Sequence, residues 1–292
     1  MGARPDRRRH DAQAAAGDAV IGRAIVFAVA VFCVCGPARA QRPERTFPKH
    51  VLAWADVRNG YQHDSITHAL STIERLGWES GLYDTIIRTD SQPITRRPIE
   101  FKTGTGIATG EQFLARNLNF FDAIFFFGVR EIDLTPNQRA DLLSFVRDDG
   151  KGFVATHAAA TGFFSWPEFG EMLGARFDEH PWGITNATVM VEDRGSPIVA
   201  HLPPSFVVFD EHYQLKDFSR DRLHVLARLD AAKLDLKAPL VHRRDGDFPV
   251  AYTKSYGKGR VFYSTLGHPR ELWDEAWLQK MYFEALRWAM ER

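Results

Sequence analysis

An α/β fold built on a doubly wound parallel sheet is the architecture this sequence predicts, and three observations predict it. Short apolar runs of strand length alternate with segments of helical periodicity from His50 to Thr156. One of those runs, Phe121 to Gly128 (FDAIFFFG), is apolar almost throughout, as a strand covered on both faces must be. Thr135-Pro136 marks a helix start between two strand-like runs, giving the β-α-β order of a crossover connection.

In order along the chain, His50 to Ala55 (HVLAWA) reads as a first strand. Ile66, Leu70, Ile73 and Leu76 follow at helical spacing, and Gly77 is expected to close that helix. Ser80 to Thr89 fits a second strand and Phe121 to Gly128 a third. A helix opened by Thr135 and Pro136 runs through Leu142, Leu143, Phe145 and Val146 and stops at Gly150, before a fourth strand at Lys151 to Thr156. The polar, glycine-rich stretch from Gln92 to Gly110 reads as a surface loop; its glycines have the wrong spacing for a phosphate loop. The second half adds strands at Thr185 to Glu192, Ser205 to Phe209, Leu223 to Leu229, Phe248 to Ser255 and Arg260 to Leu266, then an amphipathic helix from Asp274 to Met290. No repeat or linker divides the chain, so residues 41–292 read as one domain.

Residues 1–40 read differently. Arg7, Arg8 and Arg9 precede an apolar stretch from Ala24 to Cys35, and Ala38-Arg39-Ala40 offers a cleavage site before Gln41, the pattern of a signal peptide. A stretch this short does not span a bilayer. The expectation is a periplasmic or secreted protein with no stable membrane insertion once the leader is removed. Of 37 basic and 37 acidic residues, six and three lie in the leader, leaving 31 and 34 and a net charge of −3. That balance excludes a nucleic-acid binder driven by bulk positive charge. Both cysteines, Cys33 and Cys35, belong to the leader, so thiol nucleophiles are excluded as well.

In a parallel α/β sheet the ligand lies at the carboxyl ends of the strands. Tyr61, His63 and Asp64 follow the first strand, and His157 follows the fourth among the small residues Ala158, Ala159 and Ala160. His180, Glu211 with Tyr213, and His268 each stand just beyond a strand of the second half. His157 occupies the sharp turn where related folds hold a nucleophile, and an imidazole there serves as a base, an acid or a metal ligand. Asp64 could equally cap the helix after it. His63, His157, His180, Glu211 and His268 are the residue types a divalent metal needs, but no tight metal motif is present. Trp54, Tyr61, Phe163, Phe164, Trp166, Trp182 and Tyr213 gather near the same loops, and rings beside carboxylate and imidazole suit a sugar; Phe163 and Phe164 read as core.

Five stretches in order resemble the ThuA-like (trehalose-utilisation) family of the class I glutamine amidotransferase-like superfamily. They are Gly60 to Ile66, Gly150 to Ala159, Gly174 to Phe177 with His180-Pro181, Asp210 to Tyr213, and Gly257 to Tyr263 with Gly267-His268. The resemblance implies a flavodoxin-like, three-layer core with His157 in place of the amidotransferase cysteine, which argues against glutamine hydrolysis. Lys151 and Thr156 depart from the small or aliphatic residues usual at their positions. It also implies carbohydrate metabolism, with a small sugar or keto-disaccharide as partner. The expected machinery is His157, Glu211 and His63 for acid-base chemistry, with Asp64, Tyr61, Trp182, Tyr213, His180 and His268 for binding. A divalent metal is the one cofactor these side chains suggest. The alternatives are a non-catalytic carbohydrate-binding module and a metal-dependent hydrolase.

Overall fold

The computed structural model describes residues 45–291, so the leader read in residues 1–40 lies outside the described residues. The first strand, β1 (Lys49–Trp54), is followed by α1 (Ser65–Ser80) and β2 (Tyr83–Arg88). The helix does not close at Gly77. It runs on to Ser80 and is capped by Gly81 at φ 73°, whose N–H donates to the Gly77 carbonyl. Gly77 serves another purpose: a Cβ there would stand 2.3 Å from the Tyr83 ring, which folds back over the helix and donates its hydroxyl to the Ile73 carbonyl. The stretch expected to be loop contains a two-stranded hairpin, β3 (Glu100–Thr103) and β4 (Gly106–Thr109), set apart from the main sheet. Its strands are too short and too exposed to show an apolar alternation.

β5 (Ala123–Phe126), α2 (Pro136–Arg147) and β6 (Gly152–Thr156) follow as expected. Thr135 and Gln138 form a reciprocal capping box at the start of α2. A short helix, α3 (Pro167–Leu173), precedes β7 (Arg176–Glu179), β8 (Ile184–Val191), β9 (Ser205–Glu211), β10 (Gln214–Lys216) and β11 (His224–Leu229). β12 (Pro249–Tyr256), β13 (Gly259–Ser264) and α4 (Ala276–Met290) complete the chain.

Nine strands form one sheet in the order β2-β1-β5-β6-β13-β12-β11-β8-β9. The first five run parallel, and each pairing from β13 to β9 is antiparallel. Side chains alternate across the sheet and build a core on each face. Val51 and Ala53 of β1 pack with α1 and α4, while Leu52 and Trp54 pack with Leu142, Phe145 and Val146 of α2 and with Phe169 of α3. This is the expected three-layer α/β architecture, extended by antiparallel strands from the C-terminal half.

Two features of the sheet position a site. Successive strands lie on opposite sides of the β1–β5 junction, the topological switch point where such folds open a crevice. Four antiparallel reversals also leave β9 running in the same direction as β13, so both end at the same edge. In a flat sheet β9 would lie roughly 19 Å from β13, at about 4.8 Å per strand. Yet the Gly267 N–H just beyond β13 donates to Asp210 of β9 over 2.8 Å. The antiparallel half therefore coils over, and register shifts between β11 and β12 mark where it bends.

At the opposite edge, Asp122 ties three strands together. It accepts from the His50 N–H (3.0 Å) and the Lys151 ammonium (2.9 Å), with Lys49 at 3.8 Å. Burial works against its charge, but the Lys151 hydrogen bond, the His50 N–H and the charges of both lysines hold the carboxyl below its usual range. A depressed folded-state pKa stabilises the fold above the unfolded value of about 3.9, and the contribution is lost as pH falls through the folded value. Asp122→Asn should lower stability at pH 7 by about 1–2 kcal/mol. Urea unfolding at pH 7 and pH 3 checks this: the gap between wild type and variant should narrow at the lower pH, and a constant gap would contradict it.

Candidate functional site

Immediately after β6 the backbone makes a tight turn at His157, with φ 43°. A non-glycine residue in the left-handed region is strained by roughly 1–3 kcal/mol and must be held by its surroundings. Tyr263 of β13 does so, donating its hydroxyl to the His157 carbonyl over 2.7 Å. Ala158, Ala159 and Ala160 are all buried in the turn that follows, where only small side chains leave room for close packing.

The His157 side chain is fully buried. Its Nδ1 lies 2.8 Å from the Thr265 carbonyl, which only an N–H can face, so Nδ1 carries a proton and Nε2 points toward the site. Around Nε2 stand the Tyr213 hydroxyl at 2.9 Å, His268 Nδ1 at 3.0 Å and Glu211 Oε2 at 3.4 Å. Burial, and after it the Glu211 charge, pushes the Tyr213 phenol well above its ordinary range, so it keeps its proton and donates. Its ring also stacks on His157, with centroids 4.5 Å apart.

Glu211 ends β9, and its Oε2 lies 3.1 Å from His268 Nδ1. Burial opposes the Glu211 charge, but its close contacts with His157 and His268 outweigh it and hold the carboxyl well below the usual carboxylate range. His268 responds in the opposite sense. Burial would lower it, yet its hydrogen bond to Glu211, and the charges of Glu211 and Asp210, raise it. His63, brought in by the loop after β1, sets its ring edge-on to both His157 (5.0 Å) and His268 (4.9 Å). Burial first, then the neighbouring imidazoles, push it down to about 3, so it is neutral at working pH.

A residue not singled out from sequence fixes this arrangement. Asp210 is fully buried and accepts three backbone N–H groups: Glu211 (2.8 Å), Gly267 (2.8 Å) and His268 (3.0 Å). It thereby locks the end of β9 to the loop after β13 and sets where Glu211 and His268 meet. The adjacency Asp210-Glu211 at a strand end was the only sequence signal for it.

These groups form the floor of a cavity of about 620 Å³, a size suited to a small molecule. His63, Glu211, Tyr213 and His268 line it, while His157 lies behind them and makes no part of the wall. Tyr61, 66% exposed, stands at the mouth and stacks on His268, with centroids 6.2 Å apart. Phe164, Phe177, His180, Arg130 and Lys216 complete the walls. The β7–β10 ribbon, unseen in sequence because its strands have four and three residues, contributes Phe177 and Lys216.

Two expected binding residues stand elsewhere. Asp64 is exposed at the cap position of α1, makes no capping hydrogen bond, and faces a shallower cleft shared with Tyr61 and His268. Trp182 does not line the cavity: its indole N–H donates to the Asp235 carbonyl over 3.1 Å and its ring packs on Phe248. Trp54, Phe163 and Trp166 are buried in the core beside α3, whereas Phe164, read from sequence as core, lines the cavity.

The arrangement puts an ionised carboxylate between two imidazoles beside a third, all reachable from one cavity or lying just behind its wall. Such a set can transfer protons, stabilise negative charge on a bound oxygen, or ligate a cation. No cysteine, and no serine paired with a base, stands in the cluster.

A family model described as trehalose utilisation, ThuA, matches residues 50–289 of the chain. Among solved structures, a ThuA-like protein from Bacteroides uniformis superposes with a TM-score of 0.61 at 21% identity, covering 84% of this chain and 92% of its own. A ThuA-like protein from Parabacteroides merdae gives 0.58 at 16% identity, covering 83% and 90%. At these identities the likeness concerns the fold. No curated protein matches the sequence.

Proposed function

The chain belongs to the ThuA (trehalose utilisation) family, which supports a role related to carbohydrate utilisation, and from that premise we propose that its pocket takes a small sugar bearing a keto group and removes a proton from the carbon beside it. One observation carries the reading: His63, His157, Glu211 and His268, from four separate segments, bring their polar atoms within 4.8 Å of one another, His157 just behind and the others at the floor of a sugar-sized cavity. The ring of Tyr61 at the mouth and those of Phe164 and Phe177 on the walls offer flat apolar faces to a pyranose.

The keto oxygen is directed to the positive centre around His268. Glu211, whose polar contacts with both imidazoles run through Oε2, accepts the proton with Oε1. The enolate then collapses in one of two ways. The hydroxyl proton on the deprotonated carbon passes to the former keto oxygen and Glu211 returns its proton to the former keto carbon, giving the isomer. Or a glycosidic C–O bond at the β-carbon breaks and protonated Glu211 hands its proton to the departing oxygen, restoring the carboxylate. The imidazoles that keep Glu211 ionised also weaken it as a base, so the step depends on a strongly polarised keto group. His157, out of the substrate's reach, positions Glu211 and His268.

The purified protein should convert a 3-keto-disaccharide and leave the parent disaccharide untouched, as read by chromatography of the sugars. Saturable binding of the keto sugar with no product would contradict an enzyme. The proposal also has the protein exported, on the leader read in residues 1–40; an N-terminus at Gln41 on the mature chain supports that, and an intact Met1 contradicts it.

A further inference from the structure

His157 Nε2, Glu211 Oε2 and His268 Nδ1 stand 3.0, 3.1 and 3.4 Å from one another. Because the Thr265 carbonyl takes the His157 proton on Nδ1, two of these atoms have lone pairs to offer an ion, and the third does whenever its imidazole is neutral. Ligands about 2.1 Å from a common ion stand about 3.0 Å apart at right angles and about 3.4 Å apart at tetrahedral angles. The observed triangle has those edges. His63 closes the group, with all four ligand atoms within 4.8 Å, and its Nδ1 is enclosed without any hydrogen-bond partner although the residue is only 9% exposed. An orphaned buried nitrogen on an imidazole of the same group is the feature that simple proton sharing within the triangle leaves unexplained.

We propose that His63, His157, Glu211 and His268 bind one divalent first-row transition-metal ion, with an open coordination position toward the pocket. Three imidazoles and one carboxylate suit Zn²⁺, Mn²⁺, Fe²⁺ or Co²⁺ better than the all-oxygen preferences of Ca²⁺ and Mg²⁺. The surroundings have the form of a metal site's outer shell. The Thr265 carbonyl orients His157 from behind, and Asp210 fixes the backbone of Glu211 and His268. The Tyr213 hydroxyl, which also pairs with Glu211, turns to the carboxylate when an ion takes the His157 Nε2 lone pair. Ion binding stands on this geometry alone. Its role, as the positive centre that polarises the keto oxygen, rests on the function proposed above.

The test uses protein purified without a histidine tag, stripped with a chelator and titrated with Co²⁺, followed by visible absorption, elemental analysis and displacement by Zn²⁺. One equivalent should bind. His63→Ala and His268→Ala should weaken binding by more than roughly a hundredfold, the upper end of what losing an outer-shell partner does. His224→Ala, at an exposed pair with Asp193, should bind as wild type does. Thermal midpoints of the metal-free variants establish that they fold. Failure of Zn²⁺, Mn²⁺, Fe²⁺ and Co²⁺ alike to bind in stoichiometric amount would overturn the proposal, as would wild-type binding by both cluster variants. Full turnover of the keto sugar by chelator-treated protein would also overturn the ion's role, leaving the proposed function standing. Stoichiometric, cluster-dependent binding with no action on the sugar would uphold the metal site and remove the proposed function instead.

Discussion

Glu211→Gln is expected to lower kcat/KM on a keto-disaccharide by roughly 10²–10⁴-fold, the range that loss of a proton-transfer group gives, while the chain stays folded. The amide matches the carboxylate in shape, and the bond from the residue-211 N–H to Asp210 is made by backbone and survives the change. What disappears is the negative charge between His157 and His268 and the oxygen that accepts the substrate proton. The loss should fall mainly on kcat, because the rings and rim groups that hold the sugar remain. Stopped-time assays with both proteins, alongside thermal unfolding, check this. Activity within a few fold of wild type would mean that Glu211 takes no proton.

Asp210→Ala should do the greater structural damage. It removes the acceptor of three buried N–H groups at once, and each such group left unsatisfied costs about 1–3 kcal/mol. Even the low end, about 3 kcal/mol in all, lowers the midpoint of a chain this size by roughly 6–12 °C. Activity should fall with it, since the β9 end and the loop after β13 lose the clamp that brings Glu211 and His268 to 3.1 Å. Asp210→Asn gives the graded case. Oδ1 serves both Glu211 and His268 while Oδ2 serves Gly267, so one amide oxygen retains two of the three bonds. Its midpoint should lie between wild type and Asp210→Ala, and equal midpoints for all three would dismiss the clamp.

The parallel half of the fold was legible because its central strands are buried on both faces and announce themselves as unbroken apolar runs, as at Ala123 to Phe127. The capping chemistry of Thr135 was equally local and equally readable. Gly77 misled because a glycine in a helix serves two purposes, ending it or admitting a neighbouring ring, and only the position of Tyr83 decides between them. The histidines were visible as residues beyond strand ends. That they act with Glu211 was expected from residue type and place alone; the route by which they meet was not legible, because Glu211 arrives on a strand four places from β13 and reaches it only through the coiling of the antiparallel half. Asp210 escaped for the same reason, since its partners Gly267 and His268 are more than fifty residues away. Trp182 shows the reverse error: proximity in sequence to His180 suggested a place in the pocket, but the chain turns at Gly183 and the indole packs on Phe248.

The most direct test of proton removal beside a keto group is solvent exchange at that carbon. A 3-keto-disaccharide incubated in D₂O with the wild-type protein, followed by proton NMR, should lose the signal of the hydrogen adjacent to the carbonyl well ahead of a protein-free control. Glu211→Gln should leave that signal at the control rate. Product that keeps this hydrogen at its original carbon, or loss of the signal undiminished by Glu211→Gln, would contradict the account.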